Sequence, residues 1–379
     1  MKSVTGVPLI VMRRAGELLA NKRLIVVALV FGAFALWRFA APHSVKPVDR
    51  VAVLSGWADE QRCVECHQQA DAFEQTGHAR TLRRAVDVDS LDHLRRLSED
   101  APQLDEALRL HFGDDHVLAI DSGHGVDRQL PLDWCFGSGH HACTWVGTLS
   151  DSWGTTDLVE FRWTWYSALE RFDVTPGQPP TRGDDHFGGL GVLFDHPKAR
   201  RCFACHASFL PMHEGRLDES RIKAGVTCQR CHGSQQKHVA SGGAFVPESL
   251  HRLSQSESVR RCAQCHRSAD EQPSADITQE NREIVRFQPV GLVQSACFQK
   301  SSTLSCVTCH DPHRPLEAQD SGGIWQCVQC HDSTKPDRTV CRAGHRADCL
   351  KCHMPKVRGA APLFFTDHWI RVRHEEASP

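Results

Sequence analysis

Residues 202–232 read CFACHASFLPMHEGRLDESRIKAGVTCQRCH and contain the pattern Cys-x-x-Cys-His twice. The pattern occurs seven times in the 379 residues and uses fourteen of the eighteen cysteines. We call its occurrences motifs 1 to 7, in chain order: Cys63/Cys66/His67, Cys202/Cys205/His206, Cys228/Cys231/His232, Cys262/Cys265/His266, Cys306/Cys309/His310, Cys327/Cys330/His331 and Cys349/Cys352/His353. Their chemistry and spacing decide the fold.

Each motif holds two thiols a fixed short distance apart and places a histidine directly after the second. This arrangement is typical of covalent haem c attachment, in which the thiols bond the two vinyl groups and the histidine becomes the proximal iron ligand. Zinc knuckles and disulfide scaffolds also use paired cysteines, but neither requires that histidine. The sequence therefore predicts seven covalent haem c groups.

The composition agrees with a core that is not built from apolar side chains alone. Hydrophobic residues make up 40% of the chain, below the roughly 45–50% of an average globular protein. The formal charge of −2, from 44 basic and 46 acidic side chains, excludes a polybasic nucleic-acid binder. Because motifs 2 to 7 crowd into residues 202–353, we expect stacked haems to form the core there.

The long gap between motifs 1 and 2 has a character of its own. Residues 81–112 read as helical with an interruption near Pro102, and residues 117–172 alternate in short pieces typical of a small β-rich insertion. A segment rich in proline and glycine, residues 174–191, closes the gap. The predicted fold class is mainly α with long loops, a multihaem cytochrome c fold with a small β-rich insertion. The predicted parts are a signal anchor (1–45), the first haem with the insertion (46–191) and a hexahaem domain (192–379).

The N-terminus resembles an export signal. Basic residues precede an uncharged run over residues 24–37, which is short for a membrane-spanning helix but reaches the lower limit when it is extended past Arg38 to Ala41. Because no convincing cleavage site follows, we predict an uncleaved anchor, with the body on the periplasmic side of the bacterial cytoplasmic membrane. A cleaved signal and a secreted soluble protein are the alternative.

Several segments resemble a known family. They are TGHAR (76–80), FGSGHHACTWVG (136–147), GVTCQRCHGSQQKH (225–238), RFQPVGLVQSACFQKSSTLSCVTCHDPH (286–313), DCLKCHMPK (348–356) and FTDHWI (365–370). Together they resemble a group of bacterial multihaem cytochromes c related to the tetrahaem cytochrome that takes electrons from hydroxylamine oxidoreductase. The resemblance covers roughly residues 60–373 and implies the fold and the haem arrangement, but little about a substrate. The tetratricopeptide repeats of many members are absent from this sequence.

Each six-coordinate haem needs a second axial ligand, usually histidine or methionine. The chain has only four methionines, so most axial pairs should be His/His. Position and the resemblance rank five distal candidates first: His78, His238, His313, His345 and His368. His313 follows His310 too closely to ligate the same iron from its other face, and we expect it to serve a neighbouring haem. A second group ranks lower: His140, His141, His196 and His213.

Four cysteines lie outside the motifs, and an oxidising compartment makes free thiols unfavourable. Cys135, Cys143, Cys297 and Cys341 allow three pairings. Cys135 and Cys143 flank a glycine-containing turn, which favours a local disulfide. Cys297 and Cys341 would then form the second bond and tie two distant loops together.

These features predict an electron relay. The expected donor is the quinol pool or a membrane dehydrogenase, and the expected acceptor is a periplasmic redox protein. Haem propionates would bring the net charge to about −9, which suits a basic partner surface. The alternative is a reductase or oxidase of a small nitrogen or sulfur species at one open haem. Two features argue against such an enzyme. All seven motifs end in histidine, and Tyr166, the only tyrosine that could cross-link to a haem, lies in an aromatic run typical of a core. An electron carrier is therefore favoured over an enzyme, and no catalytic residue is named.

Overall fold

The computed structural model describes residues 57–68, 70–123, 125–150, 156–182, 187, 189–210, 212–213, 216–218, 221–319, 324–331, 348–359 and 362–372. The chain divides into two units, residues 1–50 and residues 51–379. The first unit, with the predicted anchor, lies outside the described residues, as do His345 and Cys341. None of the described helices is long and apolar enough to cross a membrane.

A curled antiparallel sheet forms the largest element of the fold. Its strands are β1 (Leu82–Arg84), β2 (Leu108–Phe112), β3 (Val117–Asp121), β4 (Arg128–Phe136), β5 (Ala142–Ser150), β6 (Thr156–Tyr166), β7 (Arg171–Val174) and β8 (Gly191–Phe194). Strands β2 to β7 pair in chain order, while β1 joins β4 and β8 joins β6. The short strands β1 and β3 share one edge of β4, and β7 and β8 share one edge of β6.

The predicted fold class is wrong in calling the chain mainly α. The structure has 38% helix and 22% strand, and the sheet curls into a half-barrel. What the sequence indicated as a small insertion in residues 117–172 is an eight-stranded sheet that extends from Leu82 to Phe194. The three added strands are only three to five residues long, too short for an alternating pattern to be distinguished from a loop. They exist because longer strands offer them hydrogen-bonding edges.

The segment expected to be helical over residues 81–112 is a strand, a helix and a strand. Helix α3 (Val88–Leu104) lies between β1 and β2, and Pro102 lies inside its last turn without interrupting it. Leu94, Leu97 and Ala101 form the buried face of α3. They pack with Trp145 and Phe161 on one face of the sheet in an apolar cluster.

The opposite face of the sheet packs against the helix that carries motif 2. Asp195 is the N-cap of helix α4 (His196–His206). Its side chain accepts a hydrogen bond from the Lys198 amide, as is typical of an N-cap. Its Phe203 is fully buried against Trp134 and Val146 of the sheet. Burial of such an aromatic side chain contributes roughly 2–3 kcal/mol, so motif 2 is held firmly on the sheet.

The other elements are short. The helices are α1 (Gln61–Val64), α2 (Ala70–Phe73), α5 (Cys228–His232), α6 (Gln236–Ala240), α7 (Gln255–His266), α8 (Gln288–Gln294), α9 (Ala296–Lys300), α10 (Cys306–Cys309), α11 (Ile324–Cys330) and α12 (Cys349–His353). Single 3₁₀ turns lie at Leu250–Arg252, Ala269–Glu271, Ser274–Asp276, Arg282–Arg286 and Leu316–Ala318. The two-stranded pairs are β9 (Ala207–Phe209) with β12 (Lys223–Ala224), β10 (Met212–His213) with β11 (Arg216–Leu217), and β13 (Lys356–Arg358) with β14 (Phe364–Thr366). The domain boundaries drawn at residues 45 and 191 stay a prediction.

Candidate haem-binding sites

All seven motifs begin on helices. Motif 1 starts in α1, motif 2 ends α4, motif 3 forms α5, motif 4 ends α7, motif 5 starts in α10, motif 6 ends α11 and motif 7 forms α12. Residues three apart on a helix project from one face. In motifs 2 to 7 both cysteines lie within the helix and therefore point the same way, as attachment to the two vinyl groups of a single haem requires, while Cys66 of motif 1 lies in the turn after α1.

Four motif histidines each face a second histidine from elsewhere in the chain. Their ring centroids are 6.2 Å apart for His67 and His238, 6.0 Å for His266 and His78, 5.9 Å for His232 and His313, and 6.1 Å for His310 and His368. The pairs belong to motifs 1, 4, 3 and 5. Four of the five histidines that the sequence ranked first are thus brought beside a motif histidine.

This spacing fits one metal ion between two imidazoles. A metal–nitrogen bond to histidine is about 2 Å long, and the ring centre lies roughly 1.1 Å from its nitrogen, so two rings on opposite sides of one ion have centroids about 6.2 Å apart. His111 and His116 share the 6.2 Å spacing, but both lie on the β2–β3 hairpin, outside the motifs. The spacing identifies a haem ligand pair only when one partner follows two motif cysteines.

Hydrogen bonds orient several of these rings. The Nδ1 of His238 lies 2.8 Å from the Phe245 carbonyl oxygen, and the Nδ1 of His368 lies 2.8 Å from that of Thr366. A carbonyl oxygen only accepts, so each Nδ1 carries the proton and Nε2 keeps its lone pair for a metal. The Nδ1 of His353 lies 3.0 Å from the Arg371 carbonyl oxygen, which prepares motif 7 in the same way.

Burial keeps two of the paired distal imidazoles, His78 and His368, neutral. It lowers the pKa of His78 to about 4, helped by the nearby His266 and His310, and it lowers the pKa of His368 to about 4. Desolvation penalises the charged form of histidine. A neutral ring is the form that binds iron, so burial and ligation require the same protonation state.

Close backbone contacts set the position of two distal histidines. The Val226 amide donates to the His78 carbonyl at 3.0 Å. Beside it Gly225 has φ +72°, and a Cβ there would overlap the Ala79 carbonyl oxygen. Only glycine combines that conformation with such a close approach. The segment that carries His78 is therefore held against the residues that directly precede motif 3.

The C-terminal segment is held in a similar way. A Cβ on Gly291 in α8 would lie 2.6 Å from the Trp369 nitrogen and 2.9 Å from the His368 carbonyl carbon. The Ser295 Oγ donates to the His368 carbonyl at 3.1 Å and accepts from the Ile370 amide at 2.8 Å. The sequence analysis missed Gly225, Gly291 and Ser295 as functional residues, although all three lie in segments that carry the family resemblance.

The motifs contact one another. Thiols of different motifs lie side by side in three pairs: Cys63 with Cys228, Cys262 with Cys306, and Cys327 with Cys349. Arg230 in motif 3 reaches Gln264 of motif 4 and the Ala204 carbonyl of motif 2, both at 3.4 Å. Motifs 1, 3, 4 and 5 thus form one connected row, motif 2 lies beside motif 3, and motif 6 lies beside motif 7.

One of these contacts resembles a metal site. Glu60, Cys63 and Cys228 bring one ligand atom each within 4.8 Å of one another. Both sulfurs belong to attachment motifs, and a thioether to haem removes the thiolate that would bind a cation. We therefore assign this cluster to the contact between motifs 1 and 3.

The remaining sequence candidates have other surroundings. His206 of motif 2 lies with its Nδ1 2.9 Å from the Thr81 carbonyl oxygen, and its ring packs edge-on against Phe136 at 5.2 Å. The rings of His140 and His141 contact each other, and His140 forms an ion pair with Glu317. The described cysteines outside the motifs, Cys135, Cys143 and Cys297, are free thiols, so the proposed disulfides stay predictions.

Comparisons with known proteins found a matching family model and a similar solved structure. Residues 189–233, which include motifs 2 and 3, match the family model "Cytochrome c554 and c-prime". The structure is similar to an undecaheme cytochrome from the S-layer of Carboxydothermus ferrireducens, with 12% identity and a TM-score of 0.44. That alignment covers 85% of this chain and 53% of the other, so this chain spans about half its length. No curated protein matches the sequence.

The family match over residues 189–233 and the repeated motifs support the class of multihaem cytochromes c, which carry covalently bound haem c.

Proposed function

We propose that this chain is a heptahaem cytochrome c in which electrons pass from haem to haem without chemistry on a bound substrate. The observation that carries the proposal is the set of four histidine pairs with ring centroids 5.9 to 6.2 Å apart. A haem iron with imidazoles on both faces exchanges electrons but offers no position to a substrate.

The ligand assignment follows from the pairs. The thioether residues are Cys63, Cys66, Cys202, Cys205, Cys228, Cys231, Cys262, Cys265, Cys306, Cys309, Cys327, Cys330, Cys349 and Cys352. The axial pairs are His67/His238 for motif 1, His232/His313 for motif 3, His266/His78 for motif 4 and His310/His368 for motif 5. The proximal ligands of motifs 2, 6 and 7 are His206, His331 and His353, and His345 remains a distal candidate.

The contacts between motifs support a continuous relay. The row of motifs 1, 3, 4 and 5 rests on neighbouring attachment cysteines, Cys63 beside Cys228 and Cys262 beside Cys306, and on the hydrogen bond from Arg230 to Gln264. Before haem attachment, burial together with the nearby Cys349 and Cys309 raises the pKa of Cys327 to about 11, which supports motifs 5, 6 and 7 as neighbours. Electrons that enter near motif 1 could then reach motif 7 through adjacent haems.

We also propose a cellular location, an electron donor and an electron acceptor for the relay. The N-terminal segment would anchor the protein to the cytoplasmic membrane, with the haems in the periplasm. A quinol-linked complex or a membrane dehydrogenase would supply electrons, and a periplasmic redox protein with a basic surface would accept them.

The alternative is turnover of a small nitrogen or sulfur species at an open haem among motifs 2, 6 and 7. A tyrosine cross-linked to haem has no support, because Tyr166 is buried in the sheet and donates to the Val174 carbonyl at 3.3 Å.

Low-temperature electron paramagnetic resonance of the oxidised protein tests the relay directly. We expect nearly all haems to be low-spin, and carbon monoxide should barely change the reduced spectrum. His238→Ala should convert one haem to high-spin without loss of covalent haem, whereas the matched control His116→Ala, which removes one ring of a pair outside the motifs, should change nothing. One stoichiometric high-spin haem in the wild type that binds nitrite or hydroxylamine would overturn the relay in favour of an enzyme.

A further inference from the structure

Two cysteines outside the motifs lie side by side within the sheet. Cys135 on β4 and Cys143 on β5 are both fully buried, and their thiols lie close enough to interact with each other. In the strand register Phe136 pairs with Thr144, so the two cysteines are diagonal neighbours on the face that packs against α3. Their sulfurs therefore lie near each other on one face of the sheet.

A buried cation contacts both sulfurs. The Arg83 side chain on β1 is 9% exposed, and its Nη2 lies 3.8 Å from the Cys135 Sγ and 3.7 Å from the Cys143 Sγ. The same nitrogen donates to the Gly137 carbonyl at 3.2 Å. A guanidinium stabilises negative charge on sulfur and thereby favours the reduced form of the pair.

The pair is also close to motif 2. Phe136, the residue after Cys135, packs its ring against the proximal His206 at a centroid distance of 5.2 Å. From the other side, Thr81 contacts the His206 Nδ1 through both its hydroxyl, at 2.7 Å, and its carbonyl oxygen, at 2.9 Å. Arg83 follows Thr81 by two residues and pairs with Cys135 across the sheet. Two short paths therefore join the sulfurs to the ligand of one haem.

We propose that Cys135 and Cys143 form a redox-active dithiol that exchanges two electrons with the haem relay through motif 2. The proposal rests on the proposed relay and adds a two-electron centre to carriers that each hold one electron.

The reaction balances with the haems as partners. On oxidation the two S–H bonds break, one S–S bond forms, two protons leave and two ferric haems each take one electron. On reduction two ferrous haems supply the electrons, the S–S bond breaks and two protons return. A cavity of about 320 Å³ reaches Arg83 and is lined by Arg80, Asp89 and His93 among others, and it can bring water and protons to the pair.

A purely structural disulfide would not need these surroundings. Strands β4 and β5 are already joined by a short turn and a backbone ladder from Leu132 to Phe136. A disulfide also cannot use the positive charge of Arg83, because its sulfurs carry no net charge and are weak acceptors. Arg83 also pairs with Asp89 at 3.4 Å and donates to the Gly137 carbonyl, but its contacts with the two sulfurs stabilise charge only when a thiolate is present, that is, when the pair is reduced.

The test is thiol labelling at controlled potential. The full haem-loaded protein is poised anaerobically with mediators at a series of potentials, quenched in acid and alkylated. Trypsin releases residues 129–162 as one peptide that holds both cysteines and no motif, so its mass reports the state of the pair directly.

We expect this peptide to carry no label when all haems are oxidised and two labels after the haems are reduced. Reduction of wild type should consume two more electrons than reduction of the Cys135→Ser/Cys143→Ser variant. Arg83→Gln should move the labelling transition to lower potential. After rapid haem reduction, Phe136→Leu should slow the appearance of labelled thiols severalfold, because it removes the aromatic contact to His206.

Two results would overturn the proposal: a peptide that stays unlabelled when every haem is reduced, which indicates a structural disulfide, or one that is labelled at every potential, which indicates inert thiols. Neither result affects the spin states of the haems, so failure of the dithiol and failure of the relay are distinguishable. If the double cysteine variant does not fold, labelling of the wild-type peptide still decides the matter.

Discussion

The imidazole planes of His78 and His266 lie at 86° to each other, with their centroids 6.0 Å apart. The other three pairs are closer to parallel, at 34° for His67/His238, 25° for His232/His313 and 36° for His310/His368. The orientation of axial ligands affects the electronic state of the iron they share. The spectrum of the haem at motif 4 should therefore differ from the spectra of the haems at motifs 1, 3 and 5.

We predict that the haem of motif 4 gives a strongly anisotropic low-spin ferric signal, while motifs 1, 3 and 5 give rhombic ones. Parallel imidazoles split two iron d orbitals by π donation, and perpendicular imidazoles leave them nearly equal in energy. His78→Ala should remove the anisotropic signal and add one high-spin haem. Loss of a rhombic signal instead would contradict the assignment of His78 to motif 4.

Gly225→Ala should detach His78 from its position. The new Cβ would meet the Ala79 carbonyl, and the positive φ adds roughly 1 kcal/mol of strain. We expect a high-spin haem at motif 4 with all haems still attached. Gly125→Ala is the matched control, because Gly125 has nearly the same φ, +77°, has nothing within 4 Å of the added Cβ and lies outside the motifs. Equal spectra for the two variants would refute the positioning role.

Gly291→Ala should act in the same way on motif 5. Its Cβ would lie 2.6 Å from the Trp369 nitrogen and push away the segment that carries His368. We expect one high-spin haem that binds carbon monoxide when reduced. A normal low-spin spectrum would show that the segment adjusts without losing the ligand.

Ser295→Ala tests the hydrogen bonds of that segment without a steric change. Loss of the buried Oγ removes one partner each from the Ile370 amide and the His368 carbonyl, which keep their mutual hydrogen bond at 3.0 Å, at a cost of about 0.5–1.5 kcal/mol. The expected result is a lower midpoint of thermal unfolding and partial carbon monoxide binding at motif 5. An unchanged unfolding midpoint would mean that water replaces the hydroxyl.

The number of haems is a separate prediction. Seven motifs predict seven covalent haems, which a pyridine haemochrome assay and intact mass can count. Cys265→Ala should leave the haem of motif 4 loosely held and destabilise the whole body. Recovery of five or fewer haems from a strain with a competent maturation system would contradict the count.

The sequence predicted the β-rich character of residues 117–172 because strands such as β5 and β6 are long enough for apolar alternation to be visible. It did not predict β1, β2 and β8, which have no pattern of their own and depend on the edges of β4, β3 and β6. It also placed an interruption at Pro102, where α3 continues to Leu104. Pro102 has no N–H to donate to the Ser98 carbonyl one turn earlier, and the helix ends two residues after it.

The sequence by itself determined the attachment chemistry, because two cysteines and a histidine within five residues lie on one helical turn and need no tertiary contact to define a haem site. It also ranked His78, His238, His313 and His368 as ligands. Only the tertiary structure decided which motif each one faces: His238 meets His67 and His78 meets His266, partners far apart in the sequence. The pairing depends on backbone contacts such as those of Gly225 and Gly291, which bring distant segments together and which no local pattern encodes.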